Sequence, residues 1–150
     1  MSTIVLLDSG PLSMATNPRS SQENDKCNKW LESLLLASVE VAIPEIVDYE
    51  VRRELLRADK TAGLERLDDL KNAIGYIPIT TQTMLKAAEF WATARKQGQQ
   101  TAHDKALDAD MILAAQASLV TGNGNNAVIA TTNVKHLSLF ASASEWWKIQ

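Results

Sequence analysis

The sequence predicts a three-layer α/β/α domain around a central, mostly parallel sheet. Short apolar segments alternate along the chain with longer segments whose apolar residues recur at helical spacing. The first short segment, residues 3–7, is a β-branched and aliphatic run closed by Asp8-Ser9-Gly10-Pro11. Alternating strands and helices favour parallel strands joined by right-handed crossovers. A strand that is apolar on both faces is typical of a sheet covered by helices on both sides.

The composition indicates one globular domain over residues 1–150. Hydrophobic residues make up 45% of the chain and charged residues 22%, which excludes a disordered or fibrous protein. The longest apolar run, residues 111–115, is far shorter than the roughly 20 residues of a membrane helix. The single cysteine, Cys27, excludes a disulfide framework, and the N-terminus lacks the basic segment of a signal peptide. We therefore expect a cytoplasmic protein with no membrane contact.

The net charge of −3 argues against a passive nucleic-acid coat. It leaves open an enzyme that gathers carboxylates around a metal, because those carboxylates themselves lower the net charge. Six of the fifteen Lys and Arg residues fall between residues 52 and 71. Paired charges on a solvated helical face are the simplest explanation of this basic stretch.

Periodicity places the predicted elements. Strands are predicted at residues 3–7, 39–43, 76–79 and 127–130. Helices are predicted at about 30–35, 45–58, 64–74, 84–95 and 105–120. Residues 17–26 are expected to form a loop, and residues 121–126 a tight polar turn. Pro78 indicates that the third strand lies at an edge or ends there.

Asp8 is the first candidate functional residue because it ends the first strand. Ligands bind beyond the carboxyl ends of strands in open parallel sheets. A carboxylate at that place needs a cation or several hydrogen-bond donors. Capping of the following helix explains Asp8 equally well.

Glu50 is the second candidate, on the predicted helix 45–58. It shares a stripe with Ile46 and Val47, so it lies beside the buried face of that helix. Taken alone, a surface pairing with Arg53 is the simpler explanation of Glu50.

Two further acids crowd the start of the apolar helix 105–120. Asp110 shares a stripe with Leu113 and Ala117, whereas Asp108 projects toward Met111. The residues around both acids are apolar, so one of the two acids should face the interior of the protein. Stabilisation of the helix N-terminus is the alternative explanation, but the crowding slightly favours a functional role.

Thr131, Thr132 and Asn133 follow the last predicted strand, again at a carboxyl end. Acids gathered at this edge would repel one another, so their pKa values should rise in the absence of a metal. Oxygen ligands favour Mg²⁺ or Mn²⁺ over zinc. His103 and His136 lie outside any zinc-binding spacing, and we expect both to be exposed loop residues.

Four short motifs occur in an order and spacing that cover the chain from Ile4 to about Phe140. They are Leu6-Leu7-Asp8-Ser9, Tyr49-Glu50-Val51-Arg52-Arg53-Glu54-Leu55, Asp110-Met111-Ile112-Leu113-Ala114-Ala115-Gln116-Ala117 and Ala130-Thr131-Thr132-Asn133. Together they resemble the PIN-domain nucleases, and most of all the VapC-like toxin branch of bacterial toxin–antitoxin pairs.

The resemblance implies a PIN-like fold and a ribonuclease that depends on Mg²⁺ or Mn²⁺. By position, it implies catalytic and metal-binding roles for Asp8, Glu50 and Asp110, with Asp108 as an assisting or alternative acid. Asn133 stands at the family's fourth acidic position, where an amide weakens the charge at the metal. The expected substrate contacts are Ser9, Thr131, Thr132, Arg52, Arg53 and Lys135.

The resemblance also implies partners: RNA as the substrate, an antitoxin protein and a second copy of the chain. The competing hypothesis is a non-catalytic PIN-like module that binds RNA or protein, which Asn133 keeps open. A phosphatase of the haloacid-dehalogenase type is less favoured. That class needs a second Asp two residues after the first, where this chain has Gly10.

Overall fold

The computed structural model describes residues 2–98 and 104–150. Its elements in chain order are β1 (Thr3–Leu7), α1 (Ser9–Thr16), α2 (Gln22–Leu36), β2 (Glu40–Pro44), α3 (Glu45–Arg57), α4 (Thr61–Ala73), β3 (Gly75–Ile77), α5 (Thr81–Lys96), α6 (Asp104–Gly122), β4 (Asn126–Thr131), a 3₁₀ helix (Lys135–Leu139), β5 (Ala143–Glu145) and a second 3₁₀ helix (Trp146–Lys148). Among the described helices, none is both long and apolar enough to span a bilayer.

The described strands form one parallel sheet in the order β3-β2-β1-β4-β5. Six described helices flank this sheet, which confirms the predicted α/β/α architecture. Val5 of β1 lies opposite Val41 of β2 on one side and Val128 of β4 on the other. Because the strands run in the same direction, the residues that follow β1 and β4 meet at one edge of the sheet.

β1 lies at the centre of the sheet because both of its faces are apolar. Val5, Leu6 and Leu7 are each at most 1% exposed, as the continuous aliphatic run predicts. Helices cover both faces, and α6 contributes Leu113 and Ala117 to the same core. A charged side chain placed directly after this strand therefore begins at the boundary of the core.

The structure corrects the predicted loop 17–26. Helix α2 begins at Gln22, because Ser21 caps it and accepts a hydrogen bond from the backbone N–H of Asn24 at 3.1 Å. The polar residues that suggested a loop form the first turns of this helix, where most of them face solvent. The sequence pattern also gives no bounds for helix α1 and does not predict strand β5. In the predicted polar turn 121–126, α6 continues to Gly122 and β4 begins at Asn126.

Both edge strands of the described sheet are short. β3 and β5 have three residues each. Pro78 directly follows β3, which confirms the predicted edge position. After β5, Trp146 is buried and packs against Trp30 of α2, with 5.5 Å between the ring centroids. The C-terminal segment is thereby fixed against α2.

Candidate active site

Asp8 is held by hydrogen bonds to both of its carboxylate oxygens. Its Oδ1 accepts the backbone N–H of Ser9 at 2.7 Å, and its Oδ2 accepts the hydroxyl of Thr131 at 2.8 Å. The side chain is half-buried at the carboxyl ends of β1 and β4. Asp8 therefore caps α1, as the alternative explanation predicts, and also reaches across to β4. Its second hydrogen bond, from Thr131, is one that helix capping does not require.

Thr131 is the residue that orients Asp8 from the neighbouring strand. It is 2% exposed, donates to Asp8 and accepts the backbone N–H of Asn133 at 3.2 Å. Thr132 and Asn133 are exposed. Thr131 is predicted from the sequence to contact substrate, whereas its hydroxyl is buried against Asp8. Its role in the structure is to fix the position of that carboxylate.

Gly10 permits the close approach of α1 to the end of β4. A Cβ atom at Gly10 would lie 2.5 Å from Cγ2 of Thr132, closer than two carbon atoms can pack. In the sequence, Gly10 is informative only because it stands where a phosphatase of the haloacid-dehalogenase type has a second Asp. In the structure, the missing side chain of Gly10 leaves room for Thr132, next to the contact between Asp8 and Thr131.

Glu50 brings α3 into electrostatic contact with this edge. The pKa of its half-buried carboxyl is raised to about 7, first by burial and then by the negative charges of Asp8 and Asp110, while Arg53 opposes the shift. The carboxylate that follows β1 and the one on α6 therefore act on the carboxyl of α3. The direction agrees with the expectation that crowded acids hold protons more tightly without a metal.

Asp110 and Asp108 differ in their surroundings. Asp110 is half-buried and its charge acts on Glu50. Asp108 is exposed and is not among the groups that raise the pKa of Glu50. It lies instead at a shallow cleft between α5 and α6, beside Trp91 and Met111. The geometry thus groups Asp110, rather than Asp108, with Asp8 and Glu50.

The donor chemistry of Asp8, Glu50 and Asp110 suits a hard dication. All three offer carboxylate oxygens, and the charges of Asp8 and Asp110 add to the effect of burial in raising the pKa of Glu50. Across residues 2–98 and 104–150, no group of three or more His, Cys, Asp or Glu side chains is placed closely enough to hold a metal ion. The three carboxylates therefore interact through space without being drawn into a closed coordination shell.

The predicted substrate-binding cations separate into two kinds. Arg52 is bound within the protein, with Nη2 at 3.0 Å from Asp48 and 2.8 Å from Asp68. Arg53 is exposed, and its guanidinium lies 5.1 Å from the ring centroid of Tyr49. The structure therefore brings Arg53, and not Arg52, to the solvent beside Glu50.

Ser9 lies beside Asp8 at the first residue of α1, and its backbone N–H is engaged with that carboxylate. The side chains of Lys135 and His136 lie outside the described part of the structure, although their backbone forms the first 3₁₀ helix and not a loop. His103 also lies outside the described residues.

The family profile of the PIN domain matches residues 5–134 of this chain. The chain belongs to the PIN-domain family. The match covers β1, α3, α6 and β4, the four elements that carry the motifs with the family resemblance. No curated protein matches the chain significantly in sequence.

Several solved structures have the same fold. VapBC2 from Rickettsia felis, bound to a DNA fragment from their promoter, is 18% identical with a TM-score of 0.74, covering 95% of this chain and 98% of that one. VapBC-1 from nontypeable Haemophilus influenzae is 17% identical with a TM-score of 0.66, covering 97% and 99%. DNA-bound VapBC from Salmonella typhimurium is 15% identical with a TM-score of 0.60 over the same shares. At these identities the PIN domain is similar to the three proteins in fold.

Proposed function

We propose that this PIN domain is an endoribonuclease that depends on Mg²⁺ or Mn²⁺ and hydrolyses RNA phosphodiester bonds. One observation carries the proposal: the negative charges of Asp8 and Asp110 contribute to raising the pKa of Glu50, although the three acids lie on different parts of the chain. Three acids near the carboxyl edge of a parallel sheet place negative charge where this architecture binds ligands. Family membership and the motif resemblance support the same chemistry.

In the proposed mechanism Asp8, Glu50 and Asp110 hold the cation. Bound there, it would make a water molecule more acidic and neutralise charge on the phosphate. Thr131 and the N–H of Ser9 orient Asp8, so this carboxylate is in place before binding. With a pKa of about 7, the carboxyl of Glu50 is partly protonated near neutral pH, and a bound cation would favour its carboxylate form. Arg53 offers an exposed guanidinium to the phosphate backbone.

Arg52 is not part of the proposed substrate site, because Asp48 and Asp68 already engage its guanidinium. Thr132 and Asn133 are exposed at the carboxyl edge and stay among the proposed contacts. Ser9 and Lys135 stay as well, on the motif resemblance. Asn133 supplies an amide oxygen, a weaker cation ligand than a carboxylate.

RNA cleavage tests the proposal directly. Purified chain should cut single-stranded or structured RNA in Mg²⁺ or Mn²⁺, and a chelator should abolish the cleavage. Asp8→Asn, which keeps the side-chain volume, should abolish it as well. The matched control is Asp69→Asn, an exposed acid on α4, which should cleave like the unaltered chain. Cleavage that survives both the chelator and Asp8→Asn would contradict the assignment.

The proposed biological role is the toxin of a cytoplasmic toxin–antitoxin pair. The VapC-like motif pattern and the shared fold with VapBC structures support this role. If it is correct, a small protein encoded by a neighbouring reading frame should copurify with the chain and inhibit cleavage. Free cleavage in the presence of that protein would count against the role.

A homodimer is part of the same proposal. Several described helices carry exposed apolar side chains, among them Leu36 of α2, Tyr49 and Leu56 of α3, and Met84, Leu85 and Trp91 of α5. Burial of such side chains against a second copy would remove apolar surface from water. The molecular mass in solution should correspond to two chains. A monomer at all concentrations would contradict this part of the proposal.

A non-catalytic PIN-like binding module is the second candidate, and the amide of Asn133 favours it. This candidate predicts RNA or protein binding without magnesium-dependent cleavage. The same RNA assay therefore separates the two candidates, provided that binding is measured alongside cleavage.

A further inference from the structure

Gln116 of α6 is a buried polar side chain that joins three elements. It is 1% exposed. Its Oε1 accepts the backbone N–H of Ile46 in the first turn of α3 at 3.3 Å. Its Nε2 donates to the carbonyl oxygen of Ile77 at the end of β3 at 2.7 Å. One side chain thus bonds backbone groups 70 residues and 39 residues away in sequence.

The bond to Ile46 replaces a cap that α3 does not have in its own sequence. The residue before α3 is Pro44, which makes no side-chain capping hydrogen bond. The first N–H groups of a helix have no partner within the helix, and an unpaired buried N–H is unfavourable. Gln116 supplies the missing acceptor from α6, so the start of α3 is fixed to a different helix.

The two joined helices are those that carry Glu50 and Asp110. Glu50 is one helical turn after Ile46 on α3, and Asp110 is six residues before Gln116 on α6, roughly 9 Å along that helix. Ile46 meets Gln116, and Glu50 interacts with Asp110. Both pairings fit two helices that pass each other in opposite directions. A shift of α3 along α6 would therefore change the separation of the two acids.

We propose that Gln116 is a positioning residue for the cation site, which sets the placement of Glu50 relative to Asp110 through its bond to α3. The inference rests on the proposed function, because it concerns the same carboxylates. Residues that support cation ligands from outside the coordination shell change affinity measurably when they are replaced.

Mn²⁺ affinity, measured by calorimetry on the full chain, tests the inference. Gln116→Met keeps the length of the side chain and removes both hydrogen bonds, so the dissociation constant for Mn²⁺ should rise about tenfold. The matched control is Thr83→Val. Thr83 is a buried residue that accepts the backbone N–H of Thr80 at the start of α5, a helix that carries none of the three acids. Thr83→Val should lower the melting temperature and leave the affinity unchanged. Equal losses of affinity in the two variants, or none in Gln116→Met, would overturn the inference.

Gln116→Asn is the second variant, to be used if Gln116→Met does not fold. It keeps an amide but is one methylene too short to reach Ile46 and Ile77 together. Its Mn²⁺ dissociation constant should also rise, and an unchanged constant would overturn the inference.

Hydrogen exchange on the unaltered chain gives an independent measurement that needs no variant. If the Gln116–Ile46 bond favours cation binding, cation binding must favour that bond equally. Saturating Mg²⁺ should therefore slow exchange of the Ile46 N–H more than exchange of the Thr83 N–H, which is bonded to Thr80. Equal slowing at both sites would mean general stabilisation and would overturn the inference. An unaltered chain that binds no dication at all would instead contradict the proposed function.

Discussion

Asp48 and Glu50 are two residues apart on α3, yet their charges are compensated in opposite ways. Asp48 is buried and accepts two hydrogen bonds from Arg52, at 3.1 and 3.0 Å, and Arg52 also bonds Asp68. These bonds raise the pKa of Arg52 above its ordinary value, mainly through Asp48. The charges of two acids act on Glu50, Arg53 opposes them, and the pKa of Glu50 rises. The first carboxylate is held by its bonds to Arg52, whereas burial and two neighbouring acids favour the protonated form of the second.

The comparison predicts the largest effect at the acids whose charges act on Glu50. Asp110→Asn should lower the rate of RNA cleavage at least about 100-fold with the fold intact, because a charged ligand is lost at constant volume. Asp108→Asn should leave the rate nearly unchanged, because Asp108 is exposed and does not act on Glu50. Steady-state cleavage rates with circular dichroism spectra check both variants. The reverse ranking would show that Asp108 is the third acid.

Loss of the Arg52 side chain, which pairs with Asp48, should affect stability rather than cleavage. Arg52→Met leaves Asp48 buried without its cation, so the free energy of unfolding should fall by about 1–3 kcal/mol in urea denaturation. Mn²⁺ affinity should stay as in the unaltered chain. A large loss of affinity in a variant that is still folded would mean that the two acidic groups are not independent.

The stability of the fold should depend on pH through the carboxyl of Glu50. Because folding raises the pKa of Glu50 from 4.5 to about 7, the folded chain binds a proton that the unfolded chain has released. The free energy of unfolding should therefore fall as the pH rises from about 4.5 to about 7, by about 1–2 kcal/mol after allowance for solvent screening.

Glu50→Gln should remove this part of the pH dependence, and saturating Mg²⁺ should reduce it in the unaltered chain. Urea denaturation at a series of pH values, with the variant curve subtracted from the unaltered one, isolates the contribution of Glu50. Parallel curves for the two chains would contradict the assigned shift.

The smallest effect is expected one turn beyond Glu50. Glu54 is exposed and pairs with Arg57 at 2.8 Å, also at the surface. Glu54→Gln should change the free energy of unfolding by less than about 0.5 kcal/mol and leave cleavage unaltered. A marked loss of cleavage would extend the cation site along α3.

Features set by neighbouring residues were predictable from the sequence. The aliphatic run of β1 and its terminal Asp8 are local, and their positions are confirmed by the sheet order and the burial of residues 5–7. The short strand β5 was missed because three residues carry no recognisable periodicity. Helix α1 was not delimited because its Ser-Gly-Pro start is also typical of a turn.

The choice between Asp108 and Asp110 stayed open in the sequence for a physical reason. Helix α6 buries apolar residues on several sides, among them Leu107, Met111 and Leu113, so its pattern does not define a single inward face. The choice depends on where Glu50 lies, and Glu50 is on another helix. The bonds of Gln116 likewise depend on pairings far apart along the chain, which no local pattern encodes.

The three-residue edge strands have a consequence for how this chain meets other proteins. A strand from another molecule can extend a sheet only where enough unpaired backbone is offered along an edge. β3 and β5 offer little unpaired backbone, because each has three residues. Pro78, which has no backbone N–H, follows β3, and the segment that Trp146 fixes against α2 follows β5. Amyloid-like stacking and strand exchange between copies are therefore disfavoured. Assembly through helix faces would leave the carboxyl ends of the strands accessible to the proposed RNA substrate.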